Sequence, residues 1–265
     1  MKFICYNTTC PKNLRIAALA KQHLDKQNIP YKFVYGANPR IEVVMPSLIM
    51  HECPESYSQL LYKTYLIIRH FVYTSNAEYM FKIDEDTFTD FSVLPKEVFN
   101  YDYGGTINYY EQRKHSLLPW RNFKLAEYQT EKEWFDLPNT NLADYANGGF
   151  YFLSRKAAQH ILSFSEPEFI NKPETYISED VKIGSLIALN KSLTILDMSV
   201  KTDLDLEIAT NYCSVHPVNS FLFSKLYSCK TTEERYNVLI QYDFTNTYHK
   251  INELLGKQSN YCTPR

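Results

Sequence analysis

The chain has 265 residues, of which only 7 are glycine, where average usage near 7% would give about 19. Its 22 Tyr, 16 Phe and 2 Trp make it 15% aromatic, and 45% of its residues are hydrophobic; this excludes a disordered or low-complexity polymer and fits one large domain or two lobes sharing a core. With 28 Lys and Arg against 30 Asp and Glu the net charge is −2, which disfavours a nucleic-acid-binding chain, since that class carries a basic surplus.

Residues 2–6 read as a buried first strand. Their apolar run is too short for the core of a secretory signal, and no run approaches the ~18 apolar residues that span a bilayer. A soluble chain is expected. Pro11 opens a segment with Leu14, Ala17, Ala18 and Leu24 at helical spacing. Pro30 closes it, and residues 31–36 read as a second strand, which makes a β-α-β pattern. Residues 56–73 are the clearest helix, with Leu61, Tyr65, Ile68 and Val72 on one stripe and Leu60, Ile67 and Phe71 beside it. Residues 78–83 read as a strand ending at Asp84-Glu85-Asp86. The segment 106–140 is polar, aromatic and basic and carries both tryptophans, Trp120 and Trp134. Residues 149–153 read as another strand and a helix follows from about Arg155. A further helix starts near Ser178-Glu179-Asp180, and 231–257 reads as helical with Thr231 or Thr232 as its cap. Strands alternating with helices imply an α/β fold, a Rossmann-like, mostly parallel sheet flanked by helices. The expected organisation is a single domain with donor and acceptor lobes, divided near 1–100 and 101–230 and followed by the helical segment 231–265.

The six cysteines form no Cys-x-x-Cys pair and no zinc-site spacing. Free thiols are expected, with a Cys213–Cys229 disulfide as the alternative. The sequons at Asn7 and Asn190 read as accidental, Asn7 because it sits where the first strand should end.

In a parallel sheet, ligands bind beyond the carboxyl ends of the strands, where the acidic triplet lies. Two carboxylates one residue apart at a strand end can converge on a hard divalent cation that also holds a diphosphate. Such a cation, Mn²⁺ or Mg²⁺, would neutralise charge growing on a departing nucleotide diphosphate. The competing reading is a solvated turn with Asp86 capping a helix.

Four segments together are specific. Lys82-Ile83-Asp84-Glu85-Asp86-Thr87-Phe88 resembles the Lys-x-Asp-Asp-Asp-x-Phe motif of the β-1,3-galactosyltransferase and fringe-like enzymes, glycosyltransferase family 31. Tyr57-x-x-Leu60-x-x-Lys63-Thr64 is similar to that family's Tyr-x-Asn-Leu-Thr-x-Lys-Thr helix, residues 145–154 to its Tyr-x-x-Gly-x-Gly-Tyr-x-x-Ser segment, and Glu179-Asp180-Val181-x-x-Gly184 matches its Glu-Asp-Val-x-x-Gly motif. They occur in the family's order. Glu85 stands for the middle Asp, Gln59 for Asn, Leu61 for Thr and Asn147 for a usual Cys.

The resemblance implies a GT-A fold, a UDP-sugar donor, Mn²⁺ and inversion at the anomeric carbon. By the same resemblance Asp86 is the direct metal ligand and Asp84 meets the metal through water or contacts the donor, as does Glu85. His216 would complete the metal site, and a surface or core histidine is the competing reading. Tyr6, Asn7 and Thr8, in a loop after the first strand, would face the uracil and ribose. Lys63 and Lys82 could face the diphosphate, although Lys63 could also be a helix-surface charge. Gly148 and Gly149 would let the backbone pass close to donor or acceptor. Gly104 and Gly105 would make room where the 106–140 loop departs, and Gly36 reads as a turn residue. Trp120 and Trp134 could stack on an acceptor sugar, or simply fill core. The anchor of the animal enzymes is missing, which points to a cytosolic relative of microbial or large-virus origin, hence a cytoplasmic location.

An inverting transferase needs one base to take the acceptor hydroxyl proton. Asp180 matches the family's position, and a helix N-terminus would keep it ionised. Gly184 would relieve crowding behind it, and Glu179 would orient the acceptor or a neighbouring loop. The plainer alternative is that Ser178, Glu179 and Asp180 only cap a helix. The expected partners are a UDP-sugar (galactose, N-acetylglucosamine, xylose or another sugar) and a glycan or glycoprotein acceptor; a homodimer is left open. Two rivals remain. A sugar nucleotidyltransferase would want a Gly-rich phosphate loop after the first strand, and none is present. A non-catalytic carbohydrate-binding relative would have no need of Asp84, Asp86 and Asp180.

Overall fold

The computed structural model describes residues 2–11, 14–37, 47–56, 58–85, 87–89, 91–109, 143–170, 177–198, 214–215 and 263–264. Its strands are β1 (Phe3–Thr8), β2 (Tyr31–Ala37), β3 (Ser47–Pro54), β4 (Tyr79–Asp84), β5 (Phe88–Thr89), β6 (Tyr103–Asn108), β7 (Tyr145–Ser154), β8 (Ile195–Asp197), β9 (Ser214–Val215) and β10 (Thr263–Pro264). Its helices are α1 (Leu14–Asp25), α2 (Leu60–Thr74), α3 (Arg155–Ile161) and α4 (Glu179–Ala188).

Eight strands form one sheet in the order β10-β8-β6-β7-β4-β1-β2-β3, and β5 pairs with β9 in a small ribbon. Strands β1 to β4, β6 and β8 run the same way; β7 and β10 run against them. The sheet draws strands from both sides of the lobe boundary expected near residue 100, so one hydrogen-bonded layer joins the two halves.

Alternation along each strand sends side chains to two cores. On one face Cys5, Phe33, Phe81, Ile83, Phe150 and Phe152 pack with Ala17, Ala20 and Leu24 of α1. On the other, Tyr6, Met80, Tyr151 and Leu153 pack with α2, α3 and α4. Helix α2 is buried nearly all round, which is why its sequence is apolar on more than one stripe. Its C-terminal end is held by Arg155, whose guanidinium donates to the carbonyls of Val72, Ser75 and Ala77 and lies 4.7 Å from the Phe71 ring centroid. Ser154 caps α3, its hydroxyl accepting from Ala157 N at 3.1 Å.

Several expectations change. Ala18 of α1 is exposed, and Ile16 and Ala20 join Ala17 and Leu24 in facing the core. Helix α2 begins at Leu60 rather than 56, and β7 begins at Tyr145 rather than 149. Strands β3, β6 and β8 were not expected. Gly104 and Gly105 lie inside β6 rather than at a loop exit. A Cβ at Gly104 would sit 2.5 Å from the Leu196 carbonyl and 2.6 Å from the Phe152 ring, so packing between strands excludes a side chain. Gly36 is likewise in β2, and a Cβ there would meet the Cys53 carbonyl at 2.9 Å. Asn7 is fully buried, which agrees with an accidental sequon. Cys5 and Cys53 are free thiols. The helix expected at 231–257 and the Cys213–Cys229 alternative lie outside the described residues. Among the described residues no helix is long and apolar enough to cross a membrane.

Candidate active site

The carboxyl ends of β1, β2, β4, β6 and β8 share one edge of the sheet, and antiparallel β7 begins there. Register sets the first contacts: Thr8 is opposite Asp84, Glu85 N donates to Thr8 O at 3.1 Å, and Asn7 Nδ2 lies 3.4 Å from Asp84 O. Asp84 therefore ends β4 at the edge, half-buried.

The Gly-rich segment is a bulge. Strand β6 pairs Gly105 with Tyr151 and then Ile107 with Ala146. Residues 147–150 of β7 thus lie opposite Thr106 alone, and the backbone at Gly148 and Gly149 leaves the regular ladder. Gly149 N is held by Asn147 Oδ1 at 2.9 Å. The displaced Gly148 reaches two side chains: its carbonyl accepts from Lys82 Nζ at 2.5 Å and its N–H donates to Asp180 Oδ2 at 3.3 Å.

Asp180 lies in the first turn of α4, which Ser178 precedes as N-cap residue. Its Oδ1 accepts from Ser178 Oγ at 2.7 Å and from Val181 N at 2.9 Å. Burial raises its pKa above the ordinary carboxylate value, and the hydrogen bonds from Ser178 and Val181 only partly oppose this. A helix N-terminus favours the ionised form, burial opposes it, and the raised pKa makes Asp180 a stronger base once ionised. Gly184 does relieve crowding, though against β7. A Cβ there would lie 2.6 Å from Asp144 O and 2.8 Å from Tyr145 Cα, so glycine lets α4 rest on the start of β7.

Glu179 is buried, with its Oε2 and Asp180 Oδ2 both beside Gly148. Its Oε1 accepts from Tyr151 OH at 2.5 Å and Thr64 Oγ1 at 3.1 Å, and its Oε2 lies 3.7 Å from Lys82 Nζ. Burial pushes its pKa up to about 7 against the lowering effect of Lys82. Lys82 is fully buried and donates to Asp84 Oδ1 at 2.7 Å. Burial alone would lower the Lys82 pKa, but Asp84 and Glu179 more than offset it and raise it. Neither residue is where the sequence placed it: Lys82 is spent on internal partners rather than facing a diphosphate, and Glu179 has no surface for an acceptor. Lys63 is also buried, paired with Glu55 and donating to Thr9 O at 3.1 Å, so it is no surface charge. Glu55 in turn accepts from Gly36 N, which ties the ends of β2 and β3 to α2.

Tyr6, Asn7 and Thr8 belong to β1 itself rather than to a loop beyond it. Tyr6 points into the core, its hydroxyl 2.8 Å from His70 Nδ1. Asn7 Oδ1, Thr8 Oγ1, Thr9 Oγ1 and Tyr35 OH are buried and have no hydrogen-bond partner among the described residues, and Thr106 Oγ1 and Asn108 Oδ1 near the end of β6 are in the same condition. A buried polar atom left unmet costs about 1–3 kcal/mol, so this edge is prepared for a polar ligand. Thr9, Tyr35, Thr106 and Asn108 escaped the sequence reading. The usable signal was polar residues clustering where buried strands end.

Asp86, His216, Trp120 and Trp134 lie outside the described residues. Val215, the residue before His216 in the chain, pairs with Phe88, two residues after Asp86. Among the described residues no group of three or more His, Cys, Asp or Glu side chains could hold a metal.

A mostly parallel sheet covered by helices on both faces, with a carboxylate at the end of β4 and a second at a helix start beside it, is the architecture of a GT-A-type glycosyltransferase fold. A family model described as galactosyltransferase matches residues 41–203, more than half of the chain, and the chain belongs to that family. Among curated proteins it is 31% identical over 145 residues to hydroxyproline O-galactosyltransferase GALT5 of Arabidopsis thaliana, which covers 53% of this chain and 20% of that one. The chain thus matches about a fifth of that relative's length. Among solved structures it is similar to the galactosyltransferase LgtC in complex with donor and acceptor sugar analogues (TM-score 0.40, 12% identity, 69% of each chain covered). It is also similar to a glycosyltransferase involved in glycosylation of the major capsid of PBCV-1 (TM-score 0.31, 11% identity, 60% of this chain and 62% of that one).

Proposed function

We propose that the chain is an inverting, metal-dependent glycosyltransferase that moves a sugar from a UDP-sugar to a hydroxyl of a glycan or glycoprotein acceptor. The observation that carries the reading is the placement of Asp180: its carboxylate stands at the sheet edge, anchored through Gly148 and half-buried, beside the strand that delivers Asp84. Asp180 accepts the proton of the acceptor hydroxyl, whose oxygen forms the new bond to the anomeric carbon. The bond from that carbon to the diphosphate oxygen breaks, and UDP leaves with the electron pair. Raised basicity suits Asp180 to this step.

Carboxylate oxygens suit a hard divalent cation such as Mn²⁺ or Mg²⁺. Asp84 and Asp86 would hold it with His216, and the pairing of Val215 with Phe88 supports that set. When bound, the ion would stabilise the charge on the departing UDP. The orphaned oxygens of Asn7, Thr8, Thr9 and Tyr35 would receive donors from the nucleotide.

The family and the plant relative make galactose the first donor to try, and a hydroxyproline peptide a first acceptor. A panel of UDP-sugars incubated with the chain and Mn²⁺ should release UDP from one of them, faster with acceptor present. Pyrophosphate release from UTP and a sugar phosphate would instead mark a nucleotidyltransferase. Glycan binding with no affinity for UDP would mark a non-catalytic relative.

A further inference from the structure

We propose that Glu179 is a positioning residue which, through Lys82, sets the carboxylates of Asp180 and Asp84 relative to each other. The inference rests on the transferase reading, in which those aspartates are base and metal ligand.

Glu179 precedes Asp180 in the chain, and one oxygen of each carboxylate lies beside Gly148, 3.4 Å from where its Cβ would stand. The Glu179 side chain is only 3% exposed, while Asp180 is half-buried at the sheet edge. Tyr151 OH from β7 and Thr64 Oγ1 from α2 both donate to Glu179 Oε1. Lys82 from β4 faces its Oε2 and also donates to Asp84 Oδ1 and Gly148 O. Gly148 N returns to Asp180 Oδ2. The circuit is closed: Asp180 to Gly148, Gly148 to Lys82, Lys82 to Glu179, and Glu179 back to Asp180 along the chain. Asp84 hangs from the same ammonium.

Stability does not account for such a network, because replacing buried ion pairs by apolar side chains is often neutral or stabilising. What an apolar cluster cannot do is fix directions. Hydrogen bonds from four elements, α2, β4, β7 and α4, determine where the first turn of α4 sits against the end of β4. A displacement of about 1 Å at a reacting group can cost ~100-fold in rate.

Thr64→Val and Tyr151→Phe each remove one donor to Glu179 without changing shape. On the full chain, kcat, donor KM, UDP affinity with Mn²⁺ and the melting temperature would be measured for both single variants, the double variant and Glu179→Gln. The expected result is a fall in kcat per folded molecule of about 10-fold in the double variant and about 100-fold in Glu179→Gln, with a smaller loss of UDP affinity in Mn²⁺ because Asp84 shifts with Lys82. A lowered melting temperature with kcat per folded molecule at the wild-type value in all four variants would overturn the inference, since the network would then only hold the fold. Wild-type chain that releases UDP from no UDP-sugar would overturn the transferase reading and this inference with it; active wild type with equally active variants would overturn the inference alone.

Discussion

Gly184→Ala tests the seating of α4 directly. The added methyl would lie 2.6 Å from the Asp144 carbonyl and 2.8 Å from Tyr145 Cα, and it would also meet Tyr145 Cβ. All three belong to the backbone or its first side-chain atom, so no rotamer change relieves the overlap. Ordinary contact begins near 3.4 Å, so α4 and β7 must separate by several tenths of an ångström or more. Overpacking of this kind costs about 1–3 kcal/mol, which for a domain of this size lowers the melting temperature by roughly 2–5 °C. Because Asp180 rides on the first turn of α4, UDP release should also fall, by up to ~100-fold. Gly148→Ala is the control. There a Cβ would meet Asp180 Oδ2 and Glu179 Oε2 at 3.4 Å, and the glycine does not have a positive φ. That variant should melt with wild type but lose activity, because its methyl lies against the Asp180 carboxylate. Thermal melts followed by circular dichroism, paired with a UDP-release assay, separate the two outcomes. A Gly184→Ala protein that melts and turns over like wild type would refute the packing argument.

Glu179, held near pH 7 rather than its ordinary 4.5, binds a proton in the folded state that the unfolded chain has released. Its contribution to stability should therefore fall as pH rises from about 4.5 to about 7 and stay level above. Glu179→Gln should flatten that part of the profile in denaturant titrations, and an unchanged slope would contradict the assignment. Lys82→Met leaves the Glu179 and Asp84 carboxylates facing each other's field without their shared cation, and should cost about 3–5 kcal/mol in the same titrations. Arg155→Lys cannot reach three carbonyls at once. It should lower the melting temperature while leaving UDP release per folded molecule at the wild-type value.

The sequence carried most of the β-α-β frame because its signals are local. Pro11 and Pro30 bracket α1, and the apolar residues of α2 repeat at helical spacing. Ser178 with two acids announces α4. Strand β6 was hidden by Gly104 and Gly105, which read as loop until the closeness of Leu196 and Phe152 shows that only glycine fits between those strands. Strand β3 carries His51, Glu52 and Pro54 at the sheet edge and shows no clean alternation. The site divides similarly. Asp84 and Asp180 were legible from motif and placement. The burial of Glu179 was not, because only its packed neighbours Thr64, Tyr151 and Lys82 show that it is enclosed. Lys82 was partly legible: it is two residues from both Met80 and Asp84, so it shares their face of β4, which α2 and α4 cover. That its ammonium is used up internally depends on Gly148 being lifted out of the ladder, and no local pattern announces a bulge of that size.

The central claim is that Asp180 takes the acceptor proton. Asp180→Asn preserves shape and keeps one acceptor oxygen, for either Gly148 N or Val181 N and Ser178 Oγ, and UDP affinity with Mn²⁺ should remain at the wild-type value. Sugar transfer from the preferred UDP-sugar should fall by about 10²–10⁴-fold, the usual contribution of a general base. Transfer by Asp180→Asn at the wild-type rate would contradict the account.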